Sequence, residues 1–498
     1  MTLVLLILLP LVGGFAAWFV GRRNTGVCRW LSLAVVLAEL ALVLRVWARH
    51  LGDAGLGSSG PWLEIFERAW IPKLGISFIL AIDGLSLLMV VLTAFIGVMA
   101  VLVSWREIEE RVGIYFACLL WVLAGITGVF MALDLFLFYF FWEVMLIPMY
   151  FLIGVWGHER RIYASVKFFI FTLAGGLLML VSILALTLSH AASTGIYTFD
   201  YTELLGTPLS SPSALWIMLG FFIAFAVKLP AVPIHNWLPD AHTEAPTAGS
   251  LILAALLLKT GAYGLIRFVV PLFPEQSAAM APWALWLGVL GIIYGALLAF
   301  AQTDLKRLVA YTSVSHMGFV LIGVYSWNEL ALQGTVMQMI CHGLSTGALF
   351  MIVGMLYDRI HTRDVTEMGG LWKAAPKLGG VAMVFAMASL GLPGTGNFVG
   401  EFLIIFGAFK VSIPVTVAAL LGIVAATVYS LRIIQTTFHG PAATSWEIPD
   451  MSSREMLMMA PMILAIVWLG LWPSTVIATF EPALKSLMHL VPTLWGGG

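Results

Sequence analysis

About fourteen apolar runs, each long enough to cross a bilayer, constrain the fold of this chain more than anything else in it. A hydrocarbon core of roughly 30 Å needs about 20 predominantly apolar residues per helix. Such runs cover approximately residues 1–20, 27–48, 78–104, 112–132, 134–156, 163–189, 213–240, 246–270, 280–303, 308–326, 330–357, 376–408, 413–438 and 456–480. Most connections are short, and the longest excursion, residues 49–77, carries Gly, Ser and Pro with modest charge. Charged residues make up 10% of the chain and hydrophobic ones 61%, where a soluble domain carries about 25% charge. The expected fold class is an all-α polytopic membrane protein of about 14 transmembrane helices. The first run lacks the basic n-region and small-residue cleavage site of a signal peptide, so it reads as a retained helix.

An even number of helices puts both termini on one side, and basic residues say which. Sixteen Lys and Arg residues, among them Arg22, Arg106, Arg160, Lys306, Arg363 and Arg454, flank the loops after odd-numbered helices; seven flank the other side. The positive-inside rule then places both termini outside the cytoplasm.

An internal repeat runs through the middle of the chain. Asp134-Leu135 opens the fifth helix and Asp304-Leu305 the tenth; Leu173, Gly176 and Leu178 match Leu344, Gly347 and Leu349. Leu229-Pro230 and Leu392-Pro393 interrupt the seventh and twelfth helices, and all offsets fall between 163 and 171 residues. Five helices separate equivalent positions, so the two copies have opposite orientations. Inverted repeats with a broken helix in each half are a transporter signature. The chain accordingly divides into helices 1–3 (residues 1–111), a first repeat of helices 4–8 (112–270), a second of helices 9–13 (279–438), and a C-terminal loop with helix 14 (439–498).

Within this apolar framework Glu143, Lys228, Lys259 and Glu401 stand deep inside their spans. One charge at a helix centre costs about 2.5–3.5 kcal/mol on insertion scales, so four uncompensated charges would cost roughly 10–14 kcal/mol. They must face protein or water, and each other. Glu143 lies nine residues past Asp134, about 13 Å into the membrane, and Lys259 lies about 20 Å along its helix from Pro246. Lys228 precedes Pro230, which removes a backbone donor, and Glu401 follows the break LGLPGTGNFVG. A static ion pair is the bland reading; midplane charge beside broken helices points instead to an ion route. Motion of Glu143 relative to Lys228 would switch the lysine between holding and releasing a proton. His316, His342 and His235 are candidate relays, since histidine titrates near neutral pH, although a lone helix histidine is more often a satisfied core residue. Tyr311, Thr312, Ser313, Ser315, Ser345 and Thr346 offer hydroxyls for water. Asp83, Asp134 and Asp304 read as helix caps, and Lys167, near its helix start, as a snorkelling side chain.

Other chemistries lack support. Net charge is near zero with no basic run, which excludes nucleic acid as a partner. Cys28, Cys118 and Cys341 are too scattered for a disulfide framework or cluster. There is no P-loop or H-E-x-x-H, and GTGNFVG is not a G-x-G-x-x-G. No bound redox cofactor or metal is indicated.

KLPAVPIHNWLPDAHTEAPTAGSLILAALLLKTGAYGLIR, FYFFWEVMLIPMYFLIG, DLKRLVAYTSVSHMGFV and LGLPGTGNFVGEFLI closely resemble the proton-translocating antiporter-like subunits of respiratory complex I, NADH:quinone oxidoreductase. The likeness runs from DGLSL near residue 83 to the last helix. Within the family the chain is similar to the M-type, counterpart of mitochondrial subunit 4, because Glu401 stands where close relatives carry lysine and because the chain stops without a long lateral helix. The resemblance implies that Glu143 and Lys228 form a modulating ion pair, that Lys259 is the central relay, that Glu401 lies at the outer exit, and that His316 and His342 belong to the hydrophilic axis. It further implies that NADH, FMN, Fe–S clusters and quinone are handled by other subunits. The partners would then be the other membrane subunits of the complex, related antiporter-like ones included, and the lipid bilayer. Two alternatives remain open: a subunit of a multi-subunit cation/proton antiporter, and a structural membrane subunit of a hydrogenase-type complex.

Overall fold

The computed structural model describes residues 1–51, 61–441, 445–491 and 494–495. Thirteen helices among them are long and apolar enough to cross a membrane. In chain order they are α1 (Thr2–Gly21), α2 (Thr25–His50), α3 (Gly84–Glu107), α4 (Val112–Met131), α5 (Leu135–Trp156), α6 (Arg161–Thr194) and α7 (Ser211–Lys228). After a short α8 (Trp237–Glu244) come α9 (Thr247–Leu272), α10 (Pro274–Ala301), α11 (Leu305–Ser326) and α12 (Glu329–Ile360). Two shorter apolar helices follow, α13 (Pro376–Ser389) and α14 (Gly396–Phe409), then α15 (Ile413–His439) and α16 (Ser453–Leu471). An amphipathic α17 (Ser474–Leu490) closes the described chain. The all-α membrane fold class expected from sequence is therefore what forms.

The helix starts follow local chemistry. Asp83, Asp134 and Asp304 each accept a backbone N–H at 2.9 Å, from Ser86, Leu137 and Arg307, satisfying donors that the first turn leaves orphaned. Both expected breaks are present. α7 stops at Lys228, immediately before Leu229-Pro230, and the chain turns through residues 230–236 before α8. α13 stops at Ser389, and Gly391 (φ 78°) and Gly394 (φ 96°) carry the chain to α14 through backbone that other residues adopt only with strain.

Two expectations are corrected. The third helix does not begin at residue 78: Ile76–Ile82 is a strand (β2) paired antiparallel with Glu64–Ile71 (β1), both rich in the β-branched and aromatic residues that fit a pleated surface. Of the 49–77 excursion, residues 52–60 lie outside the described residues, and much of the remainder is this hairpin. The run 456–480 is two helices, because Pro473 cannot donate the bond that would join them.

Two compact units divide the chain. The first comprises Met1–Leu229, Leu256–Pro282 and Val476–Gly498. In it α1 lies along α2 and α4, and α6 packs on α7. Its hairpin docks on the start of α5, where the Ser77 N–H donates to Asp134 Oδ2 at 3.0 Å. The second comprises Pro230–Ala255 and Trp283–Thr475, built on α12 packed against α14 and α11. α9 is buried along its whole span and α11 along its most apolar stretch. Exposed apolar side chains such as Val181 on α6, Trp283 on α10 and Val424 on α15 give these helices outer faces fit for hydrocarbon.

Candidate proton-handling site

In the first unit α5, α6, α7 and α9 hold the acid and both lysines. Glu143 sits mid-span on α5, and its carboxylate rests against α6 at Gly176, where an added methyl group would run into Oε1. That glycine is one of the matched positions of the sequence repeat. Lys228, the last residue of α7, is 1% exposed. Its Nζ makes no hydrogen bond among the described residues and lies over the rings of Trp142 (5.2 Å) and Phe168 (5.5 Å), within cation–π range. Glu143 and Lys228 act on each other electrostatically. The ammonium thus feels the carboxylate without being locked to it.

Lys259 is fully buried on α9. Two residues on, Gly261 brings α9 against the end of α7: a methyl there would meet Phe225 O at 2.6 Å, Leu229 N at 2.8 Å and Lys228 Cβ at 3.1 Å. The helix turns that carry the two lysines are therefore in direct contact. π-helical turns at Leu253–Leu257 and Leu265–Val269 bracket the Lys259 turn. Such insertions loosen the regular ladder and are frequent at functional sites. They are not legible in LILAALLLKTGAYGLIRFV, which reads as an uninterrupted apolar helix.

In the second unit the groups converge on Glu401, 2% exposed on α14. Oε1 accepts from His316 Nδ1 at 2.8 Å and from Gln338 Nε2 at 2.9 Å. His316 Nε2 faces the hydroxyls of Ser389 and Tyr429, each at 3.2 Å. The His342 ring stands 5.4 Å from that of His316. At the break, a methyl on Gly391 would lie 3.2 Å from Glu401 Oε2, so the irregular backbone borders the carboxylate. With Nδ1–H donating to Glu401, Nε2 accepts from a hydroxyl; a second proton there would leave an imidazolium against a carboxylate. Ser345 and Thr346 on α12 have buried hydroxyls with no hydrogen-bond partner among the described residues. His235 is buried against Tyr294 (5.5 Å between rings) and Tyr311 (6.4 Å).

The structure also brings forward residues outside the expected set. Gln338, Ser389 and Tyr429 complete the surroundings of Glu401 and His316. Glu39, fully buried on α2, accepts from the Thr127 hydroxyl at 3.1 Å, and its setting LAVVLAELALVL carries the same signal as that of Glu143. Arg267 and Asp83 form a buried ion pair. Among the described residues no group of three His, Cys, Asp or Glu side chains gathers as metal ligands would.

Paired lysine and glutamate beside a broken helix, and a histidine–carboxylate pair beside a second one, define a membrane protein of the proton-handling antiporter type. Residues 132–427 match the family described as NADH:quinone oxidoreductase/Mrp antiporter, TM. NADH-quinone oxidoreductase subunit M of Escherichia coli (strain K12) is 54% identical over 98% of each chain. The fold superposes on a chain of respiratory complex I from Thermus thermophilus with TM-score 0.89, 32% identity and complete coverage of both chains. It superposes on a chain of the Mrp complex from Dietzia sp. with TM-score 0.84 at 21% identity, over 99% of this chain and 98% of that one, a likeness of fold alone. The chain belongs to the antiporter-like membrane subunits of NADH:quinone oxidoreductase. It is a multi-pass inner-membrane protein and a proton-translocating subunit of that enzyme, with the enzyme's other membrane subunits as partners.

Proposed function

We propose that protons cross this subunit through Glu143, Lys228, Lys259, the His316–His342 pair and Glu401, in steps gated by charge rather than by large movements of helices. The observation that carries this reading is Lys228 Nζ: buried, seated on two aromatic faces, bonded to neither, and under the influence of Glu143. A cation–π seat contributes about 0.5–2 kcal/mol, weak enough to leave when Glu143 gains or loses a proton. The contact at Gly261 brings the next lysine's helix turn within reach. Glu401 and His316 form the release step, and His235 adds a relay beside Tyr294 and Tyr311. Hydroxyls at Ser345 and Thr346 would hold water between the charged groups.

In this reading the chain is a translocase subunit without a redox site of its own. NADH, FMN, Fe–S clusters and quinone act on other subunits, and related antiporter-like subunits lie beside this one. The repeats over 112–270 and 279–438 have opposite orientations, and both termini are periplasmic, which the excess of basic residues on the other face supports. The test compares NADH-driven, quinone-linked proton pumping in wild-type and Glu143→Ala membranes with equal amounts of assembled complex. Lost pumping is expected; full pumping would rule out an essential role for Glu143.

A further inference from the structure

Beyond Lys259, α9 carries a second buried charge, eight residues or about 12 Å further along the helix. Arg267 is 3% exposed and pairs with Asp83, 1% exposed, at the start of α3. Its Nε donates to the Tyr263 hydroxyl at 3.3 Å, and Trp62 lies over the guanidinium at 5.1 Å. The groups bonded to the pair are committed, whereas the Tyr201 hydroxyl, which acts electrostatically on Arg267, is buried without a hydrogen-bond partner among the described residues. Asp83 Oδ1 accepts from the Ser86 N–H and Oδ2 from Arg267. The Tyr263 hydroxyl shares a 2.9 Å bond with Ser86 Oγ and donates to Phe130 O at 3.1 Å, a carbonyl that takes no proton onward. Packing does not require this arrangement, because buried ion pairs are often replaced by apolar residues of similar volume at no loss of stability. Buried charge in a membrane span is functional by default.

We propose that the Arg267–Asp83 pair is a proton seal, closing the end of α9 beyond Lys259 so that a proton on that lysine can move laterally but not along its own helix to the membrane surface. Arginine suits such a seal because it is always charged, donates only, and cannot be deprotonated within a protein. A fixed positive charge in a pathway also repels an arriving proton. Asp83, the acid of the pair, is held by two donors. The cap expected of Asp83 from sequence is present, and the seal uses its second oxygen.

This inference rests on Lys259 being a proton carrier, and its test separates the two claims. Vesicles containing assembled complex are acidified by NADH turnover, turnover is stopped, and collapse of the proton gradient is timed. Arg267→Lys keeps the charge and the pairing but substitutes a group that can release its proton; a purely structural role would be rescued by it. We expect NADH:quinone turnover to persist and the gradient to collapse several-fold faster than in wild type. The neutral pair Asp83→Asn with Arg267→Met, which keeps volume, should leak likewise. Wild-type retention of the gradient in either assembled variant overturns the seal, as does failure of both to assemble, which would make the pair structural. Removing Lys259 in the leaky variant should restore retention; a leak that persists, with Lys259 also dispensable for pumping, would place the failure in the reading of Lys259.

Discussion

Replacing Gly176 with alanine isolates the placement of Glu143 from its chemistry. The new methyl group would meet Glu143 Oε1, the free end of a flexible side chain, while Trp142 Cδ1 at 3.6 Å is in ordinary contact. Folding gains about 1 kcal/mol, because alanine favours helix over glycine by that amount. Pushing Glu143 off its rotamer costs about 0.5–1.5 kcal/mol. The two nearly cancel, so the complex should assemble at normal levels. Transport should not survive as well. The carboxylate must move by about 1 Å, and misplacement on that scale costs up to about 100-fold in a positioned reaction. The assay follows a pH-sensitive dye and NADH oxidation together in inverted membrane vesicles. Gly175→Ala is the control, since its methyl would sit 3.3 Å from Ala224 Cα and 3.6 Å from Val227 and touch no charge. We expect pumping to fall tenfold or more in Gly176→Ala and to stay near wild type in Gly175→Ala. Equal pumping in the two would refute the argument that Glu143 must lie against α6.

Three further outcomes follow from the geometry. Tyr429→Phe removes one of two hydroxyls facing His316 Nε2, a loss of about 0.5–1.5 kcal/mol, and should slow pumping only a few-fold; adding Ser389→Ala removes the second and should slow it further, read by the same dye assay. Glu455→Ala breaks a bidentate pair with Arg359 (2.8 and 2.9 Å) that ties α12 to α16, and at about 3–5 kcal/mol for a broken buried pair it should lower the amount of assembled complex seen by native electrophoresis. Burial works to raise the Asp450 pKa, but the backbone N–H groups of Lys377, Met451 and Leu378 outweigh it and hold the carboxyl below the usual range. Its stabilising effect is therefore present above about pH 4 and fades as pH falls through the lower folded value. Asp450→Ala should cost about 0.5–2 kcal/mol at neutral pH, measured as faster amide exchange at Lys377 and Leu378.

Much of the molecule was legible because single residues dictated it. Pro230 and Pro393 mark the breaks through a missing donor, the three aspartates mark helix starts, and Glu143, Lys228, Lys259 and Glu401 stand out against hydrocarbon. Other features depend on partners far away in the chain. Nothing near Glu401 in sequence announces Gln338, Ser389 or Tyr429, and Asp83 and Arg267 are 184 residues apart. Strand Ile76–Ile82 was hidden because a buried strand and the first turns of an apolar helix look alike in a short run. The π-turns around Lys259 depend on packing rather than on any residue with a distinctive preference.

The central claim is that buried lysines and acids in this chain carry protons, and Lys259→Met tests it most directly by removing the charge while keeping a flexible side chain of similar length. With the complex assembled, the account predicts that protons moved per NADH oxidised fall below the wild-type ratio, or that pumping and turnover fall together. A wild-type ratio at wild-type turnover would contradict it.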